Sequence, residues 1–270
     1  DNLGRNTNAL QHIGFLRRLF RALLDASADL DVDSHRRAVW QDILDNLSDY
    51  TFVEYGGMKV FSLTEDEPHF KPGGASVCAI YPGAQVDMDS DSDLLEIAHN
   101  TITQADAWRG NGLCRSFPAA VRLGYPDILS ILRQTLDEEM PPNYYVRGGG
   151  GIETCGASLA VNEMLLQSHR GFLRLFPVWP REQPARFGNL RAHGAFLVSS
   201  ELKNGVVQNL TIISEKGKDC AFVNPWPQKE PVVEELGSGG AIPVAVEQNG
   251  ETFTFHTRDG GRYCIRLKGE

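Results

Sequence analysis

A chain of 270 residues with 41% hydrophobic side chains can bury a full core and can divide into two domains. Its net charge of −9 and its pI near 5.3 argue against binding a phosphate backbone, which needs clustered Lys and Arg, so nucleic acid is not an expected partner. No run approaches the roughly 20 apolar residues of a membrane span, and the opening DNLGRNTN lacks the basic and apolar blocks of a signal peptide. Asp1 in place of Met points to processing, cloning or a cut from a longer polypeptide, and the last is the expectation.

From Ala9 onward, Leu10, Ile13, Leu16, Phe20, Leu23 and Leu24 recur at helical spacing and predict a first helix. Ser34 can cap a second, whose core face is Val39, Trp40, Ile43, Leu44 and Leu47. The residues from Asp49 to Asp91 read as a long loop, and SDLLEIAHNTITQADAW reads as a third helix with acids in its first turn. A fourth helix runs to Leu123 and stops at Gly124, with Pro118 in its first turn or kinking it. A fifth opens at Pro126, and a sixth runs from a Thr154 cap to a stop at Gly171.

After Gly171 the period changes from helical to alternating. FLRLFPVW alternates, Pro177 to Asn189 reads as a linker, and two β runs meet at Asn204-Gly205. ETFTFHTRDGGRYCIRLKG predicts a further hairpin with Asp259-Gly260-Gly261 at its tip. The five cysteines are far apart and form no CxxC or Cys/His cluster, so no metal site, disulfide framework or cofactor is signalled; each reads as a small buried apolar residue.

Chemistry concentrates in three places. In RGGGGIET, Gly148 to Gly151 precede Glu153 and Thr154 at a helix mouth. There the helix dipole favours a charged carboxylate, so Glu153 suits a base, although an ordinary capping acid has the same appearance. In TEDEPHF, Glu65, Asp66, Glu67 and His69 form an acidic loop, which is by default a solvated one. Two carboxyl groups on opposite sides of a sugar are what inverting glycoside hydrolysis requires, with Glu65 or Glu67 as candidate acid facing Glu153. Trp108, Asn111 and Arg115 in AWRGNGLCR, with Arg147 before the glycines and His69 and Thr154, are candidate substrate contacts. An indole face stacks on a pyranose and Arg or Asn forks its hydroxyls; aromatic packing at helix ends is the competing explanation.

GIETCGASLAVNEMLLQSHRGFLRLFPVWP resembles the C-terminal part of glycoside hydrolase family 95 proteins, the α-L-fucosidase and α-L-galactosidase family. Gly156, Glu163 to His169 and RLFPVWP carry the likeness, with GNLRAHGAFLVSSELKNGVVQNLTIISEKGKDC and IYPG supporting it from about Val60 onward. The resemblance implies an (α/α)6 barrel followed by a small β domain and an inverting mechanism. The family's base aspartate falls on Ile152, one position before Glu153, and its acid falls near Ser62, upstream of Glu65. Neither carboxylate carries over residue by residue.

The expected fold class is therefore α+β: half of an α/α toroid over residues 1–170, then a small antiparallel β-sandwich over 171–270. The expected function is that of an α-L-fucosidase-like glycosidase acting on a plant- or host-derived oligo- or polysaccharide, in a parent protein that is secreted or periplasmic. The alternative is a non-catalytic carbohydrate-binding relative that has lost the family's carboxylates. The partners expected are a carbohydrate substrate and the missing N-terminal half of the barrel packed on the helical domain.

Overall fold

The computed structural model describes residues 6–139 and 153–269, with the side chains of Glu153 and Thr154 outside the description. The chain is α+β and forms two compact units, Asp1–Ala160 and Val161–Glu270. Among the described residues no helix is both long and apolar enough to cross a membrane.

The first unit carries the helices α1 (Leu10–Leu30), α2 (Arg37–Asp45), α3 (Ser92–Ala105), α4 (Ser116–Arg122) and α5 (Ile128–Glu139), and α6 (Glu153–Leu165) begins in it. Its core is built around α4, every residue of which is buried. Against it lie Ile97, Ala98, Ile102 and Ala105 of α3 and the fully buried run Val77, Ala79 and Ile80. Asp91 starts α3 by accepting the Leu94 amide at 2.9 Å, as a good N-cap should. Pro118 sits in the first turn of α4, where its missing N–H costs nothing. The second predicted helix opens as a 3-10 turn, Ser34–Arg36, and its start has no side-chain cap bond.

Helix α1 uses only one side. Leu10, Ile13, Gly14 and Ser27 are buried, whereas Phe15, Leu16, Leu19 and Leu30 are exposed, as is Val39 of α2.

The stretch read as one long loop instead holds a hairpin, β1 (Phe52–Tyr55) with β2 (Met58–Phe61). Gly56 and Gly57, at φ 57° and 76°, make the tight turn that two left-handed residues allow. The Phe61 amide donates to Thr101 Oγ1 at 3.0 Å, which ties β2 to α3. A second correction concerns α6, which ends at Leu165 and not near Gly171. Leu166 and Gln167 (β3) leave helical geometry to pair with Arg174 and Leu175 (β4), burying both leucines, and Gly171 serves the connecting turn at φ 84°.

In the second unit, β5 (Ala185–Ala192), β6 (Phe196–Lys203), β7 (Val206–Ser214), β9 (Pro231–Gly237), β10 (Gly240–Val244) and β13 (Arg262–Leu267) form one sheet in the order β10-β9-β13-β7-β6-β5. A smaller sheet is ordered β11-β12-β8, from Glu247–Asn249, Thr252–Phe255 and Cys220–Val223. All pairings between these strands are antiparallel. Both sheets turn alternate side chains into one core: Val198, Leu210, Ile212, Val233 and Ile265 from the larger, Phe222, Phe253 and Phe255 from the smaller. The Phe255 and Tyr263 rings meet across it at 5.2 Å. Asn204 and Gly205, at φ 52° and 76°, form the tight turn expected between β6 and β7. The predicted linker is shorter than expected, because β5 starts at Ala185.

The hairpin expected around Asp259-Gly260-Gly261 does not form. Strand β12 pairs with β8 and β11 in one sheet, while β13 pairs with β7 and β9 in the other. The glycines turn the chain between sheets and bond to the end of β7: the Gly260 amide donates to Ser214 O at 2.8 Å, and the Ser214 amide to Gly261 O at 2.9 Å.

Candidate functional site

The acidic loop follows β2 and is folded by its own polar groups. Ser62, only 2% exposed, donates its hydroxyl to Thr64 O at 2.8 Å and accepts the His69 amide at 3.0 Å. Thr64 Oγ1 donates to Glu67 O at 2.9 Å, and His69 Nδ1 lies 2.7 Å from the same carbonyl, which puts a ring proton on Nδ1. Two of the acids hold the start of the chain. Glu65 accepts the Asn8 amide group at 2.6 Å, and Asp66 accepts the Thr7 backbone N–H at 3.1 Å. That Thr7 bond holds the Asp66 carboxyl below its ordinary value. The Glu67 side chain is exposed and has no hydrogen-bond partner among the described residues.

The segment after α3 divides its candidate residues between two directions. Trp108 is half-buried, with its ring 5.1 Å from that of Phe117 and 5.6 Å from that of Tyr125. Arg109 reaches α5, donating to Glu138 at 2.7 Å and lying 3.6 Å from Glu139. Arg115 goes the other way: its Cδ would meet a Cβ on Gly74 at 3.1 Å, and its charge opposes the burial that pushes the Cys78 thiol up. Asn111 is exposed, and its carbonyl accepts from the Cys114 thiol at 3.2 Å.

Glu153 and Thr154 are the first two residues of α6. One turn on, Gly156 explains how that helix is seated: a Cβ there would lie 2.3 Å from Leu113 O and 2.5 Å from Cys114 N, so only glycine lets the helix press on this backbone. The helix carrying Glu153 therefore abuts the segment carrying Asn111 and Arg115, and Arg115 in turn abuts the 3-10 turn Gly74–Val77 downstream of the acidic loop. Arg147 and the four glycines Gly148 to Gly151 lie outside the described residues.

Sequence reasoning passed over Asp106, Gln134 and Glu138, which share a cavity of about 530 Å³ with Trp108 and Arg109. Glu138 and Arg109 are 29 positions apart, a separation that no local motif bridges. The one local signal was Asp106 itself, an acid immediately after the last helical residue. Among the described residues no group of three or more His, Cys, Asp or Glu could hold a metal ion.

Residues 167–265, which include all the strands from β5 to β12 and most of β13, match the family model described as Glycoside hydrolase family 95, C-terminal domain. The chain matches no curated protein.

Proposed function

From the premise that this chain is glycoside hydrolase family 95-like, we propose that it belongs to a glycosidase whose reacting carboxylates come from the first unit. The observation that carries this reading is the family 95 C-terminal domain, present on the same polypeptide as the acidic loop and the Glu153 helix. In an inverting reaction Glu153 accepts a proton from the water that attacks the anomeric carbon, and a loop acid protonates the departing glycosidic oxygen. The N-terminus of α6 favours the ionised form a base needs. Of the two loop candidates, Glu67 is the better acid, because Glu65 is occupied with Asn8. His69, Asn111, Arg115, Arg147 and Thr154 are the substrate contacts in this reading, with aryl α-L-fucosides and α-L-galactosides as the first substrates to assay. The exposed apolar side of α1 supports the companion reading that further helices of a parent polypeptide pack on this unit as the rest of a toroid.

One observation favours a second reading, a carbohydrate-binding relative without turnover. Ser62, near where the family's acid falls, is buried and spends its hydroxyl on the loop's own backbone. The two readings separate in one experiment on the full-length polypeptide. Glu153→Gln and Glu67→Gln should each lower glycoside turnover by about 10²-fold or more while leaving substrate binding largely intact. Unchanged turnover in both variants would overturn the assignment, and glycan binding by an inert wild type would favour the second reading.

A further inference from the structure

The loop that carries the candidate acid is closed into a ring and then held from outside. Within the ring the Leu63 amide donates to His69 O at 2.8 Å, and Thr64 Oγ1 and His69 Nδ1 both meet the Glu67 carbonyl, at 2.9 and 2.7 Å. Ser62 joins the two ends, its hydroxyl donating to Thr64 O and accepting the His69 amide. The backbone at Glu67 is therefore fixed relative to residues 62–69, while the residue itself stays exposed. A ring tied in this way moves as one piece, so the place of the Glu67 carboxylate depends on what holds the ring.

The hold comes from residues 7–10, far away in sequence. The Glu65 amide donates to Thr7 O at 3.1 Å, the Leu10 amide donates to Leu63 O at 3.0 Å, and Asp66 accepts the Thr7 amide at 3.1 Å. The Leu10 amide is one of the donors that every helix start leaves open, so its bond serves α1 itself. Asn8 does something the helix does not require. Its side-chain amide donates to Glu65 Oε2 at 2.6 Å and to Ser48 Oγ at 2.7 Å, joining the ring to the link between α2 and β1. Its backbone is left-handed, φ 47°, which asparagine tolerates better than most residues. The Asn8 bonds are exposed and contribute modestly one by one. Their effect comes from a firm base, because Leu10 and Ile13, 2% and 4% exposed, seat the first turn of α1 in the core.

We propose that residues 7–10 are a strap that places the Glu67 acid, with Asn8 as the positioning residue and Glu65 as its anchor. The proposal rests on the catalytic reading above for the role of Glu67 and adds the device that sets its position. The three loop acids then have different duties: Glu65 and Asp66 fasten the ring to the strap, and Glu67, next to them and unfastened, is left for the substrate. A misplacement of about 1 Å can lower a rate by about 10²-fold, so loss of the strap should appear in kcat more than in KM. Asn8→Asp is the sharpest disturbance. Aspartate tolerates the same left-handed backbone, but its ionised carboxylate has no proton for Glu65 or Ser48 and sets a second negative charge against Glu65.

Turnover and amide hydrogen exchange, measured in parallel on the full-length polypeptide, test it. Asn8→Asp should lower kcat by about tenfold or more and leave KM within about threefold of the parent. It should also speed exchange over residues 62–70 while the amides of α4, buried in the unit's core, stay protected as the control for folding. The double variant Asn8→Asp/Glu65→Gln again sets one carboxylate against one amide, with donor and acceptor exchanged, and should recover both slow exchange and turnover. General damage to the fold would not be undone by that swap. The swap also removes the Glu65 carboxylate, so recovery excludes Glu65 as the acid. Unchanged exchange over residues 62–70 in Asn8→Asp would overturn the strap. A double variant with a protected loop and kcat still low would overturn the duty given to Glu65. Failure of the catalytic reading looks different: kcat untouched by Glu67→Gln, with exchange still faster in Asn8→Asp, would mean that the strap holds the loop and positions no acid.

Discussion

Replacing Gly112 by Ala probes the segment that positions Trp108 more directly than any change to a side chain could. A Cβ on Gly112 would lie 1.8 Å from the Ala107 carbonyl oxygen and 2.7 Å from its carbon, where ordinary contact begins near 3.4 Å. Relief requires the carbonyl to retreat by about 1.6 Å, the difference of those two distances. The obstacle is backbone, so no rotamer change absorbs it, and the next residue along is Trp108. Overpacking of this kind costs about 1–3 kcal/mol, and a backbone clash belongs at the upper end. At about 2–4 °C per kcal/mol for a protein of this size, the melting temperature should fall by about 6–12 °C. Differential scanning calorimetry measures this, with Gly188→Ala as the control, since nothing lies within 4 Å of a Cβ there. A melting temperature within about 1 °C of the parent would refute the reasoning, because it would mean the turn has room that the geometry denies.

The second unit supports three further tests. His256 Nδ1 lies 2.5 Å from Asp219, and that hydrogen bond, followed by the Asp219 charge, raises the imidazole above its ordinary value. A raised pKa means the pair's stabilisation is fully present below the unfolded value of 6.5 and is lost as pH rises through the folded one; Asp219→Asn should remove most of this dependence, leaving only the smaller effect of the Glu247 charge, and return His256 toward 6.5 in an NMR titration, and an unmoved titration would contradict it. Gly205→Ala puts a Cβ at φ 76° in the β6–β7 turn and should cost about 1–2 kcal/mol in a denaturant melt, a neutral result meaning the turn has another conformation. Phe222→Ala empties a site that is fully buried between the two sheets and should cost about 3–5 kcal/mol, whereas a cost below about 1 kcal/mol would show that the two sheets do not share that core.

What could be read from the sequence was local chemistry, and what could not was the choice of partner. The β6–β7 hairpin was legible because Asn204-Gly205 specifies a turn whose flanking strands have nowhere nearer to pair. Asp259-Gly260-Gly261 carries the same kind of signal and was misread, because turn residues reverse the chain without dictating that the strands on either side pair with each other. There the apolar faces of β12 and β13 decide, each taking a different sheet of the same core. The β1–β2 hairpin was overlooked although its signal was present: Phe52, Val53, Val60 and Phe61 flank Gly56-Gly57, and Val60 and Phe61 are fully buried.

The carboxylates show the same limit in chemical form. Four acids of this chain attract attention by position, and the fold has already given two of them work: Glu65 and Asp66 fasten Asn8 and Thr7, so their charge is explained without a substrate. An acid whose surroundings account for it carries little information about function, however suggestive its spacing.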